Sequence, residues 1–430
     1  METLGQSPFV WLEFDESGQP TKADVDALKT ALAAQEFGDL VVMSHGWKNT
    51  RSDAKLLYGT LWGNTHLDQE RARNTLIVGV VWPAKQYATD FDQASVNGQV
   101  AQGVPQSGGP RKLSAAEMTA LFDGFEDFFG DKAEATLTMA KAALVQQITN
   151  NSAKALFSAA QNLLNTMGKG FDSELDTDAK RINKATANAN EAQQILASMS
   201  SPPVFKQDRN GQAQGIGDAL TSLVHGTEAA VARFLNQLTY FEMKKRSGVV
   251  GGALTIRVLS GLAPKKPVRL HLVGHSFGGR LVTAAANAWK DNPSCKLFSI
   301  TLLQAAYSHN GLAANVDGTP GAFHSVIGKV AGPMVVTHTH NDSACTVAYP
   351  LASRLARDIA SALGGPDDKY GAMGANGPQL LPKELVVLHQ SMPIKLQSAK
   401  INSILADKFI AEHNDVTNAT CGQILSDVLK

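Results

Sequence analysis

The sequence predicts an α/β protein with a mostly parallel central sheet flanked by helices, its two halves separated by a large helical insertion. Three observations predict it. Short apolar runs bounded by turn residues, such as Leu40-Val41-Val42-Met43, have the composition of parallel strands buried on both faces. Strand and helix patterns alternate at both ends of the chain. Between them, from about residue 114 to 200, the composition shifts to Ala, Asn, Gln, Lys and Glu, with apolar residues at helical spacing. The implied division is residues 1–92 and 266–430 for the two halves of the core and 93–265 for the insertion.

Residues 8–14 alternate as a strand does, and a helix follows over 22–35 until Gly38-Asp39 breaks it. A strand over 40–43, a helix over 53–61 and a buried strand over 76–82, closed by Pro83, complete the first half. Residues 93–110, rich in Gly, Gln, Ser and Pro, read as a loop. Leu156, Ala160, Leu163, Leu164 and Met167 share one helical face, and Ile182, Ala185, Ala189, Ala192, Ile195 and Met199 share another. Gly168 and Gly170 separate the two, which predicts a helical hairpin that Pro202-Pro203 ends. A further helix carrying Val231, Phe234, Leu235, Leu238 and Phe241 is expected to end near Gly248. The second half then reads as strand 268–273, helix 279–290, strands 297–303 and 334–338, helix 347–362 and a last strand over 385–389.

The 430 residues, 43% of them hydrophobic, suffice for a sizeable core. With 39 basic and 39 acidic residues the formal net charge is zero, which argues against nucleic acid as a partner. The basic run Lys244-Lys245-Arg246 reads as a solvated helix end. Cys295, Cys345 and Cys421 are too few and too scattered for a disulfide framework, and no CxxC spacing suggests zinc. The N-terminus lacks the basic-then-apolar pattern of a secretory signal. No stretch reaches the roughly 18 apolar residues of a membrane span, and the nearest, 249–263, is Gly-rich and interrupted by Arg257. The expectation is a cytoplasmic protein without a transmembrane segment, with export by a signal-less route as the alternative.

The sharpest local signal is Gly274-His275-Ser276-Phe277-Gly278-Gly279, which directly follows one expected strand and opens a helix. In that setting GxSxG is a nucleophile elbow. The serine is lifted above the sheet on a strained backbone, the flanking glycines leave room for neighbouring backbone, and the helix N-terminus favours developing negative charge. Over residues 38–92 and 266–430 the chain resembles the α/β-hydrolase superfamily. The resemblance implies the α/β-hydrolase fold, with the insertion as a cap or lid outside it, and a chain order of nucleophile, then acid, then histidine.

What the resemblance implies for each role can be set against the residues. Ser276 is the nucleophile. The oxyanion hole would use the N–H of Phe277, the residue after it, and that of Trp47 in Ser44-His45-Gly46-Trp47, which follows the strand over 40–43. His45 itself reads as structural. No carboxylate follows the strand over 297–303, where the chain runs Gln304-Ala305-Ala306, whereas Asp342 follows the strand over 334–338 and is the expected acid. An Asx-turn or helix cap is its alternative role, and Asp317, in a Gly-rich loop, is its rival. His389 and His413 alone lie beyond Asp342. His413, in Glu412-His413-Asn414-Asp415-Val416, is the expected general base, with Asp415 capping the C-terminal helix. His338 and His340 read as structural or pocket-lining.

The expectation for function is cleavage of carboxyl esters, lipid or medium-chain acyl esters first, through a Ser276–His413–Asp342 triad and an acyl-enzyme, with no metal or organic cofactor needed. The partner is then a small-molecule or lipid ester substrate. The alternatives are a peptidase or amidase on the same triad, a non-catalytic binding protein on the same fold, and a toxin-like phospholipase. The insertion is expected to be a cap that shapes the pocket rather than a moving interfacial lid.

Overall fold

The computed structural model describes residues 1–47, 49–84, 112–145, 148–166, 189–200, 226–342, 344–345 and 371–430. The loop expected over 93–110, the hairpin turn at Gly168 and Gly170 and the helix expected over 347–362 lie outside these residues.

The first half of the core comprises β1 (Glu2–Leu4), β2 (Ser7–Glu13), α1 (Lys22–Ala34), β3 (Asp39–Ser44), α2 (Arg51–Gly63), α3 (Gln69–Arg73) and β4 (Thr75–Val81). The insertion follows with α4 (Ala115–Phe129), α5 (Glu134–Val145), α6 (Asn150–Thr166), α7 (Ala189–Ser198) and α8 (Thr227–Ala253). The second half carries β5 (Val268–His275), α9 (Phe277–Ala288), β6 (Cys295–Leu303), β7 (Met334–His338), α10 (Met373–Asn376), β8 (Val386–His389), β9 (Ile401–Leu405) and α11 (Ala419–Leu429).

The nine described strands form one sheet in the order β1-β2-β4-β3-β5-β6-β7-β9-β8. Only β1 with β2 is antiparallel, and every other pair is parallel. Alternate residues of the apolar runs feed opposite faces. Leu40 and Val42 of β3 join Leu270 and Leu272 of β5 under α1, α8 and α9. Val41 and Met43 face the other way, toward Tyr58 and Leu61 of α2 and Leu425 of α11. A run with no polar alternation is therefore what a strand covered by helices on both sides requires. Two helix starts are fixed locally by reciprocal capping boxes, Thr50 with Asp53 on α2 and Ser114 with Glu117 on α4.

The strand over 385–389 is not the last. β9 follows it and inserts between β7 and β8, leaving β8 at the sheet edge. The helix expected to end near Gly248 runs on to Ala253 and continues through a π-helical turn at Leu254–Val258. Its first turns, Ala229 to Leu238, belong to the apolar core of the insertion, and Tyr240 to Val258 belong to the core on the sheet. Gly251 permits this, because a Cβ there would lie 2.2 Å from the carbonyl oxygen of Leu281 on α9.

The basic run on α8 is not a solvated helix end. Lys244 is 2% exposed and Arg246 7%. Burial is tolerated because the charges are paired and hydrogen-bonded. Arg246 donates to Pro83 O at 3.0 Å and lies 3.3 Å from Glu242, with its guanidinium 5.1 Å from the Phe128 ring centroid. Lys245 stands 3.8 Å from Glu242. No helix among the described residues is long and apolar enough to cross a membrane.

Candidate active site

Strand order reverses between β3 and β5, and the carboxyl ends of strands at such a point form a crevice. Two turns meet there. The turn after β5 carries Ser276, held at φ 57° and ψ −126°, a left-handed conformation costly for a residue with a side chain. Gly274 makes the turn possible, since a Cβ there would lie 2.3 Å from Gly278 O. The turn after β3 locks onto it. A Cβ on Gly278 would meet Ser44 O at 2.3 Å, and one on Gly46 would meet the Ser276 Cβ at 2.6 Å.

The structure brings Ser276, His413 and Asp342 into one hydrogen-bonded line. Nδ1 of His413 lies 2.7 Å from Asp342 Oδ2, and its Nε2 lies 2.8 Å from Ser276 Oγ. An ionised carboxylate only accepts, so Nδ1 carries the proton and Nε2 is left to accept from the serine hydroxyl. Asp342 is wholly buried. Burial alone would raise its carboxyl, but the neighbouring His413 and hydrogen bonds from His413, the Cys345 N–H and Gln304 hold it below the usual carboxylate value. Asp342 Oδ1 also accepts the Cys345 N–H at 2.9 Å.

Phe277 is the first residue of α9, so its N–H has no partner within the helix. Trp47 follows Gly46 over the serine, and its ring stands edge-on to Phe277, with centroids 6.1 Å apart. Tyr240 of α8 completes an aromatic trio, 5.1 Å from Phe277 and 6.4 Å from Trp47. His45 is a buried strut. Its backbone N–H donates to Tyr58 Oη at 2.8 Å, its Nδ1–H to Gly46 O at 2.8 Å, and its ring stacks on Trp82. Burial drives its pKa to about 4, which keeps the imidazole neutral.

The rival candidates lie elsewhere. Asp317 is exposed in the turn between Val316 and Thr319. His389 sits on the edge strand β8, where its Nε2–H donates to Asn402 at 3.1 Å. His340 pairs with Asp407 at 2.9 Å, and His338 ends β7. Asp415 does not cap α11. That role falls to Asn418, whose side chain accepts the Cys421 N–H, while Asp415 accepts the Ala411 N–H at 2.9 Å and closes the loop that carries His413.

Two further residues, whose types no motif in the sequence specifies, stand beside this hydrogen-bonded line. His275, inside the GxSxG motif, donates its Nε2–H to His413 O at 2.8 Å and is nearly inaccessible. Burial and the adjacent His413 push its pKa down to about 3, so it stays neutral. Gln304 donates its side-chain amide to Asp342 Oδ2 at 3.1 Å. It directly follows β6, where Gln304-Ala305-Ala306 offers no carboxylate.

Asp342, Cys345 and His413 hold donor atoms within 4.8 Å of one another, the only such cluster among the described residues. The 2.7 Å between Nδ1 and Oδ2 is a hydrogen-bond distance. Two ligands of one tetrahedral zinc ion would stand roughly 3.3 Å apart. Burial, with the Asp342 charge, also raises the Cys345 thiol and keeps it protonated.

A second Ser–His–Asp chain exists at the opposite end of the sheet. Ser299 Oγ lies 2.7 Å from His271 Nδ1, and His271 Nε2 lies 3.0 Å from Asp39. Arg269 and Arg71 also pair with Asp39, at 2.8 and 3.1 Å. Ser299 is wholly buried inside β6, off any turn and outside the positive-φ residues, so no electrophile can reach it. Comparison of the chain with protein-family models, curated proteins and solved structures finds no match, and the functional reading therefore rests on this geometry.

Proposed function

We propose that the chain is a serine hydrolase of the α/β-hydrolase fold, cleaving carboxyl esters with Ser276 as nucleophile. The observation that carries the reading is the hydrogen-bonded line from Ser276 through His413 to Asp342, ending on a serine in a strained left-handed turn. Strain of that kind at a turn between strand and helix has a use only if the hydroxyl must stand free of the sheet. Beside the nucleophile stands Trp47, the one partly exposed ring of the aromatic trio, packed on the buried Phe277 and Tyr240, and an apolar acyl chain is the substrate part that such a neighbour suits.

In this mechanism Ser276 Oγ attacks the substrate carbonyl carbon as its proton passes to His413 Nε2. The N–H groups of Phe277 and Trp47 stabilise the oxyanion, and the dipole of α9 adds to them. Collapse breaks the bond to the leaving alcohol, which takes the proton from His413. Water then gives its proton to His413 and attacks the acyl-enzyme, the acid leaves, and the proton returns to Ser276.

The test is fluorophosphonate labelling with p-nitrophenyl ester turnover over several acyl lengths, for wild type, Ser276→Ala and Ser299→Ala. Labelling and turnover should vanish in Ser276→Ala and persist in Ser299→Ala. A folded wild type that neither labels nor turns over ester would refute the reading.

A further inference from the structure

We propose that Gln304 is a positioning residue for the acid, fixing Asp342 Oδ2 against His413 through its side-chain amide. The inference rests on the serine-hydrolase reading above and adds a fourth member to the line, one that acts through Asp342 and touches no substrate.

Gln304 directly follows β6 with φ at 47°, a left-handed backbone in a residue that is not glycine, and its side chain is wholly buried. Among the described residues it shares that strain with only four other non-glycine positions, one of which is Ser276. Such strain persists only where the surroundings over-determine it, and here they do. The amide nitrogen donates to Asp342 Oδ2 at 3.1 Å and to Gly374 O at 2.9 Å, while the amide oxygen accepts from Thr337 Oγ1 at 3.0 Å. Turning the amide over would set its oxygen against two acceptors, so its orientation is fixed by the network. The backbone N–H of Gln304 also donates to Thr337 Oγ1, at 3.2 Å.

The same strand end reaches the other carboxylate oxygen. Asp342 Oδ1 accepts the Cys345 N–H, and the Cys345 thiol lies 3.6 Å from Gln304 O. Gly374 closes on the group, because a Cβ there would lie 2.6 Å from the Gln304 carbonyl carbon. Asp342 is thus gripped by donors on both oxygens, and Oδ2 receives two N–H groups, one from His413 and one from Gln304. The choice of an amide is chemically pointed. A carboxylate of similar size at residue 304 would face Asp342 as a like charge, and the two would share a proton.

The test compares wild type with Gln304→Met, which keeps side-chain length and backbone geometry but donates nothing, and with Gln304→Glu. In Gln304→Met, kcat should fall roughly tenfold with KM changed by less than about twofold. The acid limb of kcat/KM should move up by about half to one pH unit, because an Asp342–His413 unit with one donor fewer takes up a proton more readily. Gln304→Glu should move it further. Thr337→Val, which removes the anchor of the amide, should give a smaller shift in the same direction and stands in if Gln304→Met does not fold. The His413 Nδ1–H resonance of histidine-labelled protein gives a readout that needs no turnover, and it should shift upfield and exchange faster in Gln304→Met. A variant that matches wild type in both the acid limb and that resonance would overturn the proposal. If wild type neither labels nor turns over ester, it is the hydrolase reading that fails, and the resonance still reports whether Gln304 holds the pair.

Discussion

Residue types alone would nominate two serines in this molecule, and backbone geometry separates them. Ser276 and Ser299 each stand within hydrogen-bond reach of a histidine that also meets an aspartate. Only Ser276 occupies a left-handed turn, and only Ser276 has a second loop locked across it by glycine. Gly46 is the glycine whose fit bears directly on the serine. Its Ala variant would press a methyl to 2.6 Å from the Ser276 Cβ and 3.3 Å from His275 Nδ1. We expect Gly46→Ala to cut the fluorophosphonate labelling rate by roughly a hundredfold or more, with a melting temperature within a few degrees of wild type. Labelling at the wild-type rate would mean that this loop takes no part in the site.

At the scale of elements, β3 and β4 were legible because both their faces are covered, and no polar residue breaks the run over 40–43 or 76–81. β9 was not legible, for the opposite reason. Its sequence Ile-Asn-Ser-Ile-Leu carries two polar side chains, yet Asn402 is wholly buried and spends its amide on Met334 O and Gln397 O. A polar residue satisfied inside a sheet looks like a turn residue in sequence. The run Lys244-Lys245-Arg246 misled in the same way, since the glutamates that neutralise it include Glu16, far away in the chain. Ser276, Asp342 and His413 could be nominated from motif and chain order, whereas Gln304 acts through an amide that no charge pattern marks. The packing of α8 on α9 gives a stability test. Gly251→Ala drives a methyl to 2.2 Å from Leu281 O and 2.8 Å from the Ala284 Cβ. We expect a loss of about 2 kcal/mol in denaturant unfolding, and an unchanged midpoint would mean that the two helices do not approach as closely as described.

At the scale of the whole molecule, buried neutral histidines set the acid limit. The ordinary imidazole value is 6.5, and burial lowers His45 and His338 to about 4, His275 to about 3, and His271 in the same direction. Below pH 6.5 the unfolded chain takes up protons that these folded residues refuse, so acid favours unfolding. Stability should therefore be flat above about pH 7 and fall as pH drops toward 4, by at most about 1.4 kcal/mol per pH unit for each histidine. Asp342, lowered in the folded state, adds stability that is present above the ordinary carboxyl value of 3.8 and is lost below it. Chemical denaturation at pH 7, 6 and 5 would show the slope, and His45→Gln should flatten it by about a quarter. A slope that His45→Gln leaves unchanged would rule out this assignment.

Helix α8 belongs to two cores at once, with Phe234 and Leu235 in one and Tyr240 and Met243 in the other. In a saturation-mutagenesis library polar substitutions in its first turns would be selected against by the core of the insertion, and those in its later turns by the core on the sheet. The helix should therefore stand out as a continuous band of intolerance about seven turns long, inside a stretch whose remaining helices accept exchange on their outward faces. A deletion meant to trim the insertion would have to stop short of Thr227, or it would strip the sheet of one of the helices that cover it.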